Sequence, residues 1–226
     1  MRSRSSSGSV EIIVADCGST DGTARIAKDT GLCVTTNASL TSRARACNAG
    51  AAVATGDALL FLHADSRVPA RFDRLIEEAL RDPRVGGGAF EFALDGPELR
   101  LRLVEAVNRL RYRCHARYYG DQGIFVRRAV FEAAGGFPDI PIMEDAHLCR
   151  KISAFGTMPL VHTPMLTSPR RFYNGGILRT FAFDVLIGVW DFMRFNPNSL
   201  SQKYRRDNQR RGRRPAQSSP HRHVQV

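Results

Sequence analysis

The sequence predicts an α/β fold, a sheet covered by helices on both faces. Short apolar runs alternate with helical segments of about 8 to 15 residues along nearly the whole chain. Clusters of Gly, Asp, Ser and Thr punctuate them. The composition, 43% hydrophobic and 24% charged over 226 residues, is that of one globular domain of ordinary size.

In order, residues 10–15 (VEIIVA) read as a buried strand, and residues 16–23 (DCGSTDGT) as a turn rich in helix-capping side chains. Residues 24–30 form a helix closed by Gly31, and 33–36 a second strand. Residues 41–55, rich in Ala and Arg, form a helix that stops at Gly56. The strongest strand is 58–63 (ALLFLH). Pro69 opens a helix to about Arg81, with Phe72, Leu75, Ile76 and Leu80 at core spacing. A strand at 88–94 precedes a long basic amphipathic helix over 98–117. A strand at 123–126, helices at 129–134 and 145–154, each ended by Gly, and a last strand at 160–163 complete the pattern.

The formal net charge of +11 is unevenly spread. Residues 203–226 carry eight Lys or Arg against Asp207 alone, and Arg2 and Arg4 sit in a Ser-rich start. Residues 1–9 and 203–226 are therefore expected to be disordered ends of a domain over 10–202, the basic tail either solvated or drawn to an anionic membrane surface. The nearly neutral body, without interleaved aromatic and basic residues, argues against a nucleic-acid partner. The most apolar segment, 181–195, still carries Asp184, Asp191 and Arg194, so no spanning helix is expected. Residues 177–195 are read as packing on the sheet, with peripheral membrane contact as the alternative. Five cysteines without a CxxC pair point to reduced, largely buried thiols and a cytoplasmic chain, and no secretory leader is visible.

Three segments carry chemistry. In open α/β sheets ligands bind beyond the carboxyl ends of the strands. Asp16 follows the first strand and Asp65 the strongest one, so both are expected on one rim. The DCGSTDGT turn suits a phosphate or nucleotide, or is a plain helix cap through Asp21 or Thr20. Asp65 in HADSR (63–67) either caps a helix or binds Mg²⁺ or Mn²⁺ together with a substrate diphosphate. Asp145 in MED (143–145) is either a dipole-stabilised acid at a helix start or a general base.

Together these patterns resemble family 2 glycosyltransferases of the GT-A fold. The resemblance rests on VADCGSTDGT (14–23), RARACNAGAAVATGD (43–57), LLFLHADSRVP (59–69), GDQGIFVRRAVFEAAGGFPDIPIMEDAHLCRK (120–151) and TSPRRFYNGG (167–176). It extends over residues 10–204 and looks closest to a bacterial-type branch with HAD in place of DxD and a SPRRF motif. The fold it implies is a mixed, mostly parallel sheet with helices on both faces. The resemblance implies a VIPxxNE segment ahead of VADCGSTDGT; residues 1–10 (MRSRSSSGSV) do not match it, so the first strand is expected to be missing.

By the same resemblance, Asp16 matches a contact to the donor's base or ribose, and Asp65 the metal and diphosphate ligand. His63 replaces the usual first acid of the motif. Arg43 and Arg45 match donor-phosphate contacts, and Asp145 the catalytic base of an inverting transfer. Gly120, Asp121, Gln122, Glu144, Arg170 and Arg171 match the acceptor or diphosphate side. The implied partners are a divalent metal (Mg²⁺ or Mn²⁺), a nucleotide-sugar donor, a UDP-sugar first, and a saccharide or lipid-type acceptor. A catalytically inactive or truncated nucleotide-sugar-binding remnant is the alternative. A nucleotidyltransferase is disfavoured, because the first strand is followed by no Gly-rich loop bearing Lys or Arg.

Overall fold

The computed structural model describes residues 10–36, 42–114, 118–193 and 201–202. The tails predicted at 1–9 and 203–226 lie outside them. The elements follow as β1 (Ile13–Asp16), α1 (Thr23–Asp29), β2 (Cys33–Thr36), α2 (Arg43–Val53), β3 (Ala58–Phe61), β4 (Ser66–Arg67), α3 (Phe72–Ala79), β5 (Gly87–Leu94) and α4 (Leu99–Cys114). A 3₁₀ turn at Gly120–Gln122 leads into β6 (Ile124–Arg127), α5 (Arg128–Ala133), α6 (Glu144–Ile152), β7 (Leu160–Thr167), α7 (Arg170–Gly175) and α8 (Ile177–Phe192).

The alternation of strand and helix is the predicted α/β architecture. Five strands pair in the order β3-β6-β5-β7-β4. β5 and β7 are parallel, whereas β6 is antiparallel to both β3 and β5, and β4 to β7. Thus β3, β5 and β7 run one way and β6 and β4 the other. β1 and β2 form a separate parallel pair. Among the described residues no ladder joins β1 to β3, so each keeps one open edge.

The period-two alternation of strand side chains divides the core. Ala89, Ile124 and Val126 face one way, against Phe131 of α5 and Leu148 and Ile152 of α6. Phe90 and Phe125 face the other way, edge to face at 5.8 Å, against Ile76 of α3. Farther along β5, Phe92 and Leu94 pack on Leu101 and Val104 of α4 and Phe172 of α7. Helices therefore cover both faces.

Boundaries depart from the sequence reading where side chains compete with the backbone. Ser42 caps α2 by accepting from the Arg45 N–H at 3.2 Å, which starts that helix later than predicted. The N-cap of α1 is Gly22, while the Asp21 carboxylate accepts from the N–H and hydroxyl of Thr23. β7 runs on to Thr167 despite Pro164, because it pairs with β5 across a register shift at Phe90/Glu91. The cysteines are less buried than expected: Cys17 and Cys33 are exposed, Cys47 is half-buried, and Cys149 is buried.

Candidate functional site

The HAD segment leaves β3 and turns back at once. Ser66 N–H donates to the His63 carbonyl at 3.0 Å, and Ser66 Oγ meets Thr167 Oγ1 at 2.8 Å. The Asp65 carbonyl accepts from Ser168 N–H at 2.9 Å. These bonds tie the turn to the end of β7 and leave the Asp65 side chain exposed at the mouth of a cleft of about 1320 Å³.

In the same cleft, α6 starts from Met143, whose φ of 66° is left-handed for a residue with a side chain. This entry puts Glu144 and Asp145 in the first helical turn, both buried. Asp145 Oδ2 accepts from the Gly120 N–H at 3.0 Å and lies 3.6 Å from Arg43 Nη2, and Arg43 Nε donates to Glu144. Burial pushes the Asp145 carboxyl up to about 6, with Glu144 adding to the rise and Arg43 and the Gly120 N–H opposing it. Burial and Arg43 hold the His63 imidazole below its usual value. His63 faces the backbone of Gly120, where a Cβ would collide with Nε2 and come within 3.0 Å of Asp145 Oδ2.

Of the residues singled out in the sequence, Arg43, Asp65, Gly120, Asp121, Glu144, Asp145 and Arg171 line this one cleft. Arg171 makes a two-point ion pair with Asp184 of α8. Four other anticipated residues do not line it. Asp16, expected on the Asp65 rim, is buried and turns onto its own loop, accepting from Gly18 N–H and Ser19 N–H at 3.0 Å each. Its hydrogen bonds with Ser19 hold its carboxyl below the ordinary range. Arg45 is bound through Nε and Nη2 to Asp139 at 2.9 and 2.6 Å. Gln122 is wholly buried, donating to the Phe90 carbonyl and accepting from Tyr119 N–H at 3.1 Å each. It pins the 3₁₀ turn to the sheet and does not line the cleft. Arg170 is exposed at the start of α7.

Sequence reasoning missed Asp139, Asp184 and the apolar wall built by α4 and α8, which includes Val107, Phe181 and Val185. Arg45 and Asp139 are 94 residues apart and Arg171 and Asp184 lie on two different helices 13 residues apart, so no local pattern marks these pairs. The α8 wall had a signal in the apolar run of 177–195, but not its destination.

For the metal, the donor set is partial. Among the described residues no three His, Cys, Asp or Glu side chains converge as a cation cage. Asp65 offers one hard carboxylate oxygen at the cleft mouth, which suits a cation whose other ligands are diphosphate oxygens and water.

The fold has counterparts among solved structures. A mannosyltransferase from Pyrobaculum calidifontis, solved with GDP-Man and Mn²⁺, matches with a TM-score of 0.60 and 24% identity, covering 82% of this chain and 55% of that one. Mannosyl-3-phosphoglycerate synthase from Rubrobacter xylanophilus matches with a TM-score of 0.51 and 20% identity, covering 82% of this chain and 64% of that one. The chain thus spans little more than half the length of the first of these relatives. At these identities the likeness is one of fold. No curated protein sequence matches. The family model described as Glycosyl transferase family 2 matches residues 3–133, from before β1 through α5 and ending short of Asp145. On that match over more than half its length, the chain belongs to glycosyl transferase family 2.

Proposed function

We propose that this chain transfers a sugar from a nucleotide-diphosphate sugar to an acceptor hydroxyl with inversion at the anomeric carbon. The observation that carries the reading is a single cleft with the Asp65 carboxylate at its mouth and the buried Asp145 carboxylate in its wall, within a family 2 chain. Asp145 takes the proton of the acceptor hydroxyl as its oxygen bonds to the anomeric carbon. The bond from that carbon to the diphosphate breaks, and the nucleoside diphosphate leaves from the opposite face. Burial favours this role, because a carboxylate that protonates near pH 6 is a stronger base than an exposed one and is still ionised at neutral pH.

Asp65 would hold Mg²⁺ or Mn²⁺ on the donor diphosphate, and that cation would neutralise charge developing on the leaving group. Arg43 holds Glu144 and Asp145 in place and remains within the cleft for a donor phosphate. Asp16 reaches a donor only if its loop releases the carboxylate, and Arg45 only if its side chain leaves Asp139. Gly120, Asp121 and Arg171 form the acceptor or diphosphate side. Saccharide and lipid-type acceptors both fit this scheme, and a UDP-sugar is the first donor to test. The expected setting is cytoplasmic, with contact to an anionic membrane surface as a further element. No helix among the described residues is long and apolar enough to cross a membrane.

One observation favours a second reading, a nucleotide-sugar-binding remnant without activity: among the described residues β1 and β3 are not paired, so the β1-β2 pair stands apart from the five-stranded sheet. A thermal-shift series with UDP, GDP, dTDP and their sugars, with and without Mn²⁺, separates the two. A ligand at 100 times its Kd adds about 2.7 kcal/mol, a rise of several degrees. A metal-dependent rise with one nucleotide, followed by transfer from its sugar, supports the transferase. Binding without transfer supports the remnant, and no rise with any nucleotide removes both.

A further inference from the structure

The cleft is chemically two-sided. At one end stand Arg43, Asp65, Asp121, Glu144 and Asp145. The other end lies between α4 and α8 and is walled by Phe92, Val104, Val107, Phe181, Val185 and Val189. Most of the polar groups there are already engaged, although Arg171 Nε is buried without a hydrogen-bond acceptor. Asn108 donates its amide to the Val104 carbonyl at 3.0 Å, and Arg171 and Asp184 neutralise each other across the wall.

A hydrophilic acceptor needs several uncommitted donors and acceptors, and leaving its hydroxyls unpaired on this wall would cost free energy. An apolar chain needs none. The wall also continues outward. On α4, Val107 is succeeded on the same helical face by the exposed Leu103, Leu110 and Leu99, and on α8 Val185 and Val189 are themselves about half exposed. An apolar stripe that lines the same cleft as Asp145 and runs to the surface is a binding feature rather than scattered surface apolarity.

Building on the transferase reading above, we infer that the α4/α8 half of the cleft is an acceptor subsite for a hydroxyl carried on an apolar chain. The hydroxyl sits at Asp145 and the chain runs between Val107 and Val185 toward the outer face of α4. The acceptor is thus an amphipathic alcohol, and the wall rather than a set of hydrogen bonds selects it.

The test is direct binding of n-alkyl β-D-glucosides, from methyl to octyl, each below its micelle concentration, read by titration calorimetry without donor. Affinity should rise with chain length, by about threefold or more per methylene where burial is complete. Val107→Asn and Val185→Asn should flatten that dependence. Both positions are partly exposed, so the variants should melt cooperatively within a few degrees of the parent, which shows that they fold. Affinity independent of chain length, or a dependence that both folded variants keep, overturns the inference. Nucleotide-diphosphate binding with Mn²⁺ is measured separately on the parent. Nucleotide binding with a flat glucoside series overturns the subsite and leaves the transferase standing. A steep glucoside series without nucleotide binding overturns the transferase and the acceptor role together.

Discussion

Arg43 Nη2 lies 3.6 Å from Asp145 Oδ2, at the junction of α2 and α6, while the same guanidinium binds Glu144 through Nε. One cation therefore serves two buried carboxylates that would otherwise repel each other. Its charge also opposes the upward push that burial gives Asp145. Replacing it with a neutral residue removes that opposition. In Arg43→Gln the acid limb of the transfer rate should move to higher pH, with activity at neutral pH falling at least tenfold. Arg43→Lys should restore part of the shift. A pH profile of kcat/KM for the three proteins checks this, and an unmoved acid limb in Arg43→Gln would show that the pair does not set the ionisation of Asp145.

The base itself makes a paired prediction. Asp145→Asn should lower kcat by roughly 10²- to 10⁴-fold or more while donor binding persists. Stability should move the other way. The folded-state value of Asp145, about 6, lies above its ordinary 3.8, so between those limits the folded chain holds a proton that the unfolded chain has released. Its contribution favours the fold at low pH and is lost as pH rises through about 6. At pH 8 the neutral Asn avoids that loss and can still accept the Gly120 N–H. Asp145→Asn should therefore melt higher than the parent at pH 8 and show little difference at pH 4. A lower melting temperature at pH 8 would mean that the Arg43 pair outweighs the burial cost.

Gly120 is bare because two site residues share its space. A Cβ there would meet His63 Nε2 and Asp145 Oδ2, and behind the turn Gln122 is locked to β5. Gly120→Ala should displace His63 or Asp145, lowering transfer at least tenfold with only a modest loss of stability. Near-normal turnover in Gly120→Ala would show that the turn yields without cost.

Much of this arrangement could be read from the residues in order. The alternation of short apolar runs with helical segments specified the α/β layers, because each strand and helix here is largely a local matter. Asp65 and Asp145 could be placed at a strand end and a helix start from their neighbours alone. What stayed hidden depends on contacts between distant segments. Arg45 looked like a phosphate ligand until its pairing with Asp139, and Gln122 looked like an acceptor contact until the Phe90 carbonyl claimed it. Asp16 illustrates a third case, since its loop offers two N–H groups that satisfy it locally. Residue type and spacing report what a side chain can bind, and tertiary packing decides what it does bind.

Glu105 shows how the site's apolar wall is itself held. It sits on the buried face of α4, with Oε1 accepting from the Leu94 N–H at 2.7 Å and Oε2 lying 2.9 Å from Arg102 Nη1. Arg102 in turn donates to the carbonyls of Leu94 and Gly96 at 2.6 and 2.8 Å. The end of β5 is thereby fastened to α4, and α4 is held against the cleft. Glu105→Ala would strand the Leu94 N–H in the core and take away Arg102's carboxylate partner, a loss of about 1–3 kcal/mol. Arg102→Ala should cost less, because its side chain is partly exposed and water can take its place. Urea denaturation of both variants checks the order. If Arg102→Ala proved the more damaging, the arginine rather than the carboxylate would be what anchors α4 to the sheet.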